Sequence, residues 1–204
     1  MFVGVEASGL LADDQETVNV YSTSGGALSI TSGRLSYTLG LVGPCYSIDT
    51  ACASALAALH ACVSAVGVGR ECEAGVAAGT KVLSEASNVA TSIGGMTSPY
   101  GRCHTFDRRA DGYCRGEGCG AFLVSLRGDG EDVSKSHMAE IAIAGTAVQQ
   151  DGPSASLTAP NGTSQQRLIE AVNAGSGPSL EAHGTGTALG DPIEVRAFFF
   201  IFLS

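Results

Sequence analysis

A long run without a formally charged residue, from Ala51 to Gly69, constrains this chain more than any other feature. Its sequence, ACASALAALHACVSAVGVG, is long enough to be considered as a membrane span. The run consists mostly of Ala, Ser, Gly and Val rather than Leu, Ile and Phe, a composition equally typical of a helix buried in a protein core. The sequence therefore predicts a core helix here and no membrane span.

Cys52 lies where a predicted strand, CYSIDT, gives way to this helix. A thiol at a helix N-terminus lies near backbone N–H groups that favour the thiolate, the nucleophilic form. The neighbouring residues Ala51, Ala53 and Ser54 are small and leave room for a substrate. Cys52 is thus a candidate nucleophile, and the alternative is a small hydrophobic residue buried in the core.

A nucleophilic thiol needs a base or donor, and two histidines come into consideration. His60 follows Cys52 by eight helical positions, about 12 Å along the helix axis, which is beyond hydrogen-bond reach. His183 is the better candidate, because Gly184 and Gly186 predict a tight loop that presents it to substrate. The alternative is a structural loop histidine. The spacing GxGxxxG in GTGTALG matches neither a dinucleotide-binding nor a P-loop pattern.

Charge and cysteine content exclude several classes of function. With 204 residues and 44% hydrophobic content, the chain can form one enzyme domain of ordinary size. A formal charge of -9 argues against nucleic-acid binding, which requires clustered basic residues. Seven cysteines without a CxxC pair or a leading signal peptide favour a reducing intracellular compartment. We expect the cytoplasm, with a plastid or another organelle as the alternative.

The remaining hydrophobic patterns predict the order of secondary structure. The polar segment 84–118 is expected to be a loop, and Thr163 or Ser164 to cap a helix that ends near Gly175. A short strand is expected to lead into His183. Further predicted elements are a first strand MFVGVEA, a helix over Ser22–Leu39, a strand over Glu73–Val82, and a hairpin of GAFLVSL with HMAEIAIAGTAV.

Two clusters of polar residues could indicate a metal site or an acid/base pair. Cys103, His104, Cys114 and Cys119 match no common zinc-ligand spacing, so structural thiols are favoured and no metal site is expected. The second cluster is charged and is expected to be an ion-paired loop rather than an acid/base pair. Its members are Asp107, Arg108, Arg109, Asp111, Arg115 and Glu117.

Four segments together resemble the ketosynthase domain of type I polyketide synthases. They are DTACASALAALHA, GRCHTFDRRADGYCRGEGCGAF, LTAPNGTSQQ and EAHGTGTALGDPIEV, in the order that this family shows. The resemblance implies an α/β thiolase-like fold, layered α/β/α/β/α and normally homodimeric, of which this chain holds the central part. It assigns residues 1–197 to a partial beta-ketoacyl synthase domain and leaves 198–204 as an atypical Phe-rich end.

The resemblance also implies a chemistry. Cys52 would accept an acyl group from the phosphopantetheine arm of an acyl carrier protein and condense it with a malonyl-type extender, in polyketide or fatty acid biosynthesis. His183 would donate a hydrogen bond to the extender's thioester carbonyl as its enolate forms. Thr185 and Thr187 match positions that contact the pantetheine arm. The domain would bind no cofactor of its own.

The sequence departs from this family in ways that define the alternatives. Family members carry a second catalytic histidine and a Gly-Phe-Gly-Gly loop after the HGTGT segment, and this chain ends before both. The segment NAGSGPSLEAH is also shorter than its counterpart. We therefore expect no condensation by this chain alone. The alternatives are a non-catalytic thiolase-like subunit or pseudoenzyme that acts through dimerisation, and a cysteine hydrolase, for which no orienting Asn or Asp is identifiable.

Overall fold

The computed structural model describes residues 1–6, 20, 22–126, 141–172 and 180–202. The chain divides into two compact units, each formed by two stretches of sequence. Unit 1 comprises Met1–Ser87 and Gly116–Ala144, and unit 2 comprises Asn88–Arg115 and Gly145–Ser204.

Unit 1 is built on a four-stranded sheet with the order β2-β1-β3-β4. Its strands are β1 (Phe2–Val5), β2 (Tyr46–Ile48), β3 (Ala74–Lys81) and β4 (Gly118–Ser125). Both neighbours of β1 run parallel to it, whereas β4 is antiparallel to β3. The first strand and the strand predicted over Glu73–Val82 are confirmed, each shorter than expected by one or two residues at its ends.

The helices lie before, between and after these strands. The predicted helix over Ser22–Leu39 is present as one turn followed by a longer helix. Their bounds are α1 (Ser22–Gly25), α2 (Leu28–Leu39), α3 (Ser54–Val63), α4 (Glu85–Ile93), α5 (Gly162–Val172) and α6 (Gly190–Phe202). A 3-10 turn over Ala51–Ala53 precedes α3, and a π-helical segment over Ser64–Val68 extends it.

The alternation of side chains along β1 places helices on both faces of the sheet. Phe2 is buried in one cluster with Ala58 and Cys62 of α3. Val3 and Val5 belong to a second cluster, against which Leu28 of α2 packs. Because successive side chains of a strand point to opposite faces, α2 and α3 cover opposite sides of the sheet. This is the layered α/β arrangement that the sequence predicted.

Glycines in the two central strands let α3 approach the sheet closely. A Cβ atom at Gly4 of β1 would lie 2.4 Å from the carbonyl carbon and oxygen of Ser54. At Gly79 of β3 it would lie 2.7 Å from the Cβ of Ala55. Gly4 and Gly79 are partners in the β1–β3 register. The first turn of α3 therefore rests on a pair of adjacent glycines that no side chain could replace without movement.

Residues Ala51–Val68 are long and apolar enough to cross a membrane by length and composition, with a mean hydropathy of 1.8. Core helices of soluble proteins satisfy the same criterion. Here Ala58 and Cys62 of α3 are fully buried against the sheet. This packing supports the predicted core helix.

In unit 2, α5 and α6 pack together, with Ile193 of α6 placed against Gly162 of α5. Asn161 caps α5, since its Oδ1 accepts hydrogen bonds from the N–H groups of Thr163 (3.1 Å) and Ser164 (3.3 Å). The prediction that Thr163 or Ser164 is the capping residue was therefore wrong by two or three positions. Ser164 instead donates its hydroxyl to the carbonyl of Asp151.

Three other local predictions also differ from the structure. Helix α4 occupies part of the segment expected to be a loop, and Ser84 starts it by accepting a hydrogen bond from the N–H of Ser87 at 3.2 Å. Residues 141–148 form no strand, so the expected hairpin with β4 is absent from the described residues, and β4 pairs with β3 instead. The short strand expected to lead into His183 is absent, because residues 180–186 have no strand structure. The rest of that predicted hairpin arm, residues 137–140, and the expected helix end near Gly175 lie outside the described residues.

Substituting Gly4 by Ala tests the close approach of α3. The new methyl group would collide with backbone atoms of Ser54, which cannot rotate away, so we expect the free energy of unfolding to fall by about 1–3 kcal/mol. Urea denaturation measures this change. Gly120→Ala is the matched control, because Gly120 lies on β4 with open space around its Cβ position. Equal stability of the two variants would contradict the proposed contact.

Candidate functional site

In unit 1, Cys52 lies at the middle of the 3-10 turn that connects β2 to α3, and it is exposed. The residue before it, Ala51, has a φ of 52°, in the left-handed region that residues with a side chain rarely adopt. The chain thus turns sharply at Ala51, and Cys52 lies at this corner. Backbone outliers of this kind occur often at functional sites, where surrounding contacts hold them in place.

Ser54 provides those contacts. Its hydroxyl accepts a hydrogen bond from the N–H of Thr50 at 2.8 Å and donates one to the carbonyl of Ala51 at 2.7 Å. Asp49 adds a third bond, since its Oδ1 accepts from the N–H of Ala51 at 3.0 Å. Ser54 is only 5% exposed, whereas its partners Thr50 and Ala51 are exposed, so both bonds are partly buried. One buried side chain therefore holds the two residues that precede Cys52.

Cys52 differs from the buried thiol Cys62, which bears on whether Cys52 is a nucleophile or a core residue. Cys62 is fully buried, and burial raises the pKa of its thiol, as expected for a cysteine that serves as a core residue. Cys52 is exposed at a turn and does not fit that description. The position of Cys52 supports the reading as a candidate nucleophile.

In unit 2, His183 is exposed and begins a loop that turns at two glycines. Gly184 and Gly186 have φ angles of 55° and 69°, which confirms the tight turn predicted from the sequence. The loop is attached to a distant stretch of the same unit. Thr105 donates its hydroxyl to the carbonyl of Gly184 at 2.8 Å, and the N–H of Gly112 donates to the carbonyl of Gly186 at 3.0 Å.

Two carboxylates from α6 hold the backbone of this loop. The oxygens of Glu194 accept the N–H groups of His183 at 2.6 Å and of Gly184 at 2.8 Å. Asp191, only 3% exposed, accepts the N–H groups of Gly186 at 3.0 Å and of Phe106 at 2.7 Å. Hydrogen bonds to a charged acceptor are stronger than neutral ones. The position of the His183 backbone is therefore set by side chains that follow it in sequence.

Thr185 and Thr187 lie next to each other, with their hydroxyl oxygens 3.0 Å apart. The hydroxyl of Thr187 accepts the N–H of Gly190 at 3.0 Å, which satisfies a donor at the start of α6. The hydroxyl of Thr185 lies 3.4 Å from Oδ1 of Asp191. Both threonines are half-buried and contribute to the loop itself, and their contact with a pantetheine arm stays a prediction.

No role was predicted for Asp191 and Glu194 from the sequence, although both lie in the segment EAHGTGTALGDPIEV. A usable signal was present. Two acidic residues three positions apart at the start of a helix share one face and point toward the helix N-terminus, where backbone N–H groups of the preceding loop lie. The partner Phe106 was beyond reach of such reasoning, because 85 positions separate it from Asp191.

The candidate residues divide between the units: Cys52 belongs to unit 1, and His183, Thr185 and Thr187 belong to unit 2. The pairing of the Cys52 thiol with His183 stays a prediction. The expected ion pairing of the charged cluster is found between Asp107 and Arg109, whose guanidinium lowers the pKa of that carboxyl. Within the described ranges, no three His, Cys, Asp or Glu side chains are grouped to hold a metal ion.

Comparison with known proteins covers nearly the whole chain. Residues 1–129 match the beta-ketoacyl synthase N-terminal domain family, and residues 140–203 match the C-terminal domain of beta-ketoacyl synthases. One of the phenolphthiocerol/phthiocerol polyketide synthase proteins of Mycobacterium tuberculosis is 42% identical over 199 residues, which are 94% of this chain and 13% of that protein. The chain thus spans only a small part of such relatives.

Solved structures agree with this assignment. The ketosynthase from module 6 of the bacillaene synthase of Bacillus subtilis 168 is 32% identical with a TM-score of 0.81, over 98% of this chain and 35% of that one. An oxazolomycin ketosynthase domain of Streptomyces albus JA3453 is 36% identical with a TM-score of 0.78, over 86% of this chain and 32% of that one. The thiolase-like fold of a partial ketosynthase domain is therefore confirmed.

Substituting Ser54 by Ala tests the hydrogen bonds at the turn that contains Cys52. The change removes this partner from the N–H of Thr50 and the carbonyl of Ala51, and the two bonds are partly buried, so we expect a loss of about 0.5–1.5 kcal/mol in the free energy of unfolding. Urea denaturation gives the value. Ser92→Ala serves as the control, because Ser92 is an exposed serine of α4. A loss no greater than in this control would show that Ser54 does not stabilise the turn.

Substituting Asp191 by Ala tests the support of the His183 loop. Because two backbone N–H groups lose a charged acceptor, we expect a destabilisation of at least about 2 kcal/mol. Hydrogen exchange by mass spectrometry should show faster exchange in residues 183–187. Asp111→Ala is the matched control at an exposed aspartate of the same unit. Unchanged exchange in the Asp191 variant would refute the assigned role.

Proposed function

Because this chain belongs to the beta-ketoacyl synthase family, we propose that it carries the acyl-accepting thiol of a condensing acyltransferase, with Cys52 as the nucleophile. The observation that carries the proposal is the position of Cys52. It is an exposed thiol at a sharp turn between a strand and a helix, and Ser54 braces the backbone on its N-terminal side.

The first step is acyl transfer to Cys52. The thiolate attacks the carbonyl carbon of an acyl thioester, and the bond between that carbon and the pantetheine sulfur breaks. The pantetheine leaves as a thiol after taking a proton, and the acyl group remains as a thioester of Cys52. Covalent catalysis of this kind divides a difficult condensation into two easier steps. The exposed corner allows an extended thioester to approach the sulfur.

In the second step, a malonyl-type extender loses carbon dioxide, and its enolate carbon attacks the thioester of Cys52. A carbon–carbon bond forms, and the Cys52 thiolate leaves. We assign to His183 a hydrogen bond to the extender's thioester carbonyl, where negative charge develops; single donors of this kind contribute about 2.7–4 kcal/mol. This assignment is supported by the hydrogen bond from the N–H of His183 to Glu194, which fixes the start of the loop, and by the exposure of His183. Thr185 and Thr187 are proposed contacts of the pantetheine arm.

The proposed chemistry implies particular partners. Acyl and malonyl groups would arrive on the phosphopantetheine of an acyl carrier protein, so the chain would need no cofactor of its own. The named relatives are proteins and modules of polyketide synthases, which supports this partnership. We also propose a homodimer for the full domain. A cytoplasmic location is proposed from the cysteine content alone.

Incubation of the purified chain with hexanoyl-pantetheine tests the nucleophile. We expect the hexanoyl group on Cys52, because its thiol is exposed at the turn. The tryptic peptide 35–70 also contains Cys45 and Cys62, so fragmentation of the peptide must locate the label. Cys52→Ala should abolish labelling of this peptide.

Two further variants sharpen the result. Cys45→Ser removes another exposed thiol of the same peptide and should retain the label. His183→Ala should also retain it, because the assigned role of His183 belongs to the second step. Label that persists in Cys52→Ala would overturn the nucleophile assignment and favour the non-catalytic alternative.

A further inference from the structure

We propose that Cys103 and Cys114 are a redox-active pair that forms a reversible disulfide on reaction with a peroxide. In unit 2 the N–H of Cys114 donates a hydrogen bond to the sulfur of Cys103 at 2.9 Å. The thiol of Cys103 also lies 3.9 Å from the carbonyl oxygen of Cys114. The Cys103 side chain therefore lies directly against the backbone of the other cysteine.

This contact brings the two residues within disulfide reach. Adding one N–Cα bond to the measured contact puts the Cys103 sulfur within about 4.4 Å of the Cα of Cys114. In a disulfide, the sulfur of one residue and the Cα of the other are separated by three bonds, a distance of roughly 3.3–4.5 Å. Rotation of the Cys114 side chain is then the main change that brings its sulfur to that of Cys103.

Exposure makes this pair accessible to a small oxidant. Both residues are exposed, and all seven cysteines lie in the described part of the chain, where none forms a disulfide. Exposed disulfides have more oxidising potentials than buried structural ones, so they are readily reduced again. Cys62, in contrast, is fully buried, and burial raises the pKa of its thiol. Exposure therefore favours oxidation of Cys103 and Cys114 over that of Cys62, and the contact between the two is what favours a disulfide.

The reaction balances with hydrogen peroxide as the only co-reactant. One thiolate attacks a peroxide oxygen, the O–O bond breaks, and a sulfenic acid forms with release of water after protonation. The second thiol attacks the sulfenic sulfur, the S–O bond breaks, and a second water leaves. In total the two thiols lose two protons and two electrons, and one peroxide is reduced to two waters.

The position of the pair connects this chemistry to the His183 loop. A Cβ placed on Gly186 would lie 3.5 Å from the Cα of Cys103, so the loop backbone packs directly on that residue. Gly112, two residues before Cys114, donates its N–H to the carbonyl of Gly186. A disulfide would thus join the segment at Cys103 to the segment at Gly112 and Cys114, and Gly186 contacts both segments. We infer that oxidation restricts the motion of residues 183–187.

Tryptic mapping of the full chain treated with hydrogen peroxide tests the pair. Cleavage after each arginine places Cys103 and Cys114 on separate peptides, and Cys119 lies on a third. We expect a linked peptide pair containing residues 103–108 and 110–115, a mass loss of about 2 Da, and its reversal by dithiothreitol. Hydrogen exchange in residues 183–187 should become slower in the oxidised protein.

Three variants decide between the possible outcomes. Cys103→Ser and Cys114→Ser should each abolish the linked pair and the slower exchange. Cys119→Ser is the matched control, since it removes another exposed thiol, and both effects should persist in it. Linkage of Cys62 to Cys72, or oxidation of Cys103 and Cys114 to separate sulfinic acids, would overturn the proposal. Unchanged exchange in the oxidised protein would refute the connection to the loop.

Discussion

The close approach of a helix to a sheet is the constraint on which unit 1 depends. The first turn of α3 can lie on β1 and β3 only because Gly4 and Gly79 carry no side chain at the contact. That approach places Ser54 in a buried position, from which its hydroxyl reaches back to Thr50 and Ala51. The orientation of the Cys52 corner is thus a consequence of backbone packing several residues away. If Cys52 is the nucleophile, as proposed, this packing would preorganise it before substrate binds.

The two units use the same local device. In each one, a residue of functional interest stands in a turn just before a helix, and a polar side chain from the first turn of that helix holds the turn. Ser54 does so for Cys52 with a neutral hydroxyl, and Asp191 does so for the His183 loop with a buried carboxylate. Burying a charge is costly unless it is fully hydrogen-bonded. Asp191 meets that condition through the N–H groups of Phe106 and Gly186.

The cysteines show how surroundings divide one residue type into different roles. Cys62 is enclosed by apolar neighbours and serves the core. Cys52 lies at an exposed turn and is the proposed acceptor of the acyl group. In unit 2 the sulfur of Cys103 lies against the backbone N–H of Cys114, and these two thiols are proposed to react with each other rather than with a substrate. Burial, backbone geometry and the nearest sulfur therefore distinguish these thiols better than their positions in the sequence do.

The sequence by itself determined the elements whose signals are local. The uncharged helix, the turn at Cys52 and the glycine turns after His183 follow from short patterns, and the long motifs identified the family. Helix α4 was missed although Ala86, Val89, Ala90 and Ile93 have helical spacing, because the surrounding segment is rich in Gly, Ser and Asp. The strand predicted at 141–148 is absent, and β4 pairs with β3 instead. Only the tertiary structure decided which groups hold the two turns. The bond from Phe106 to Asp191 spans 85 positions, and no local pattern specifies a partner that folding brings from so far away.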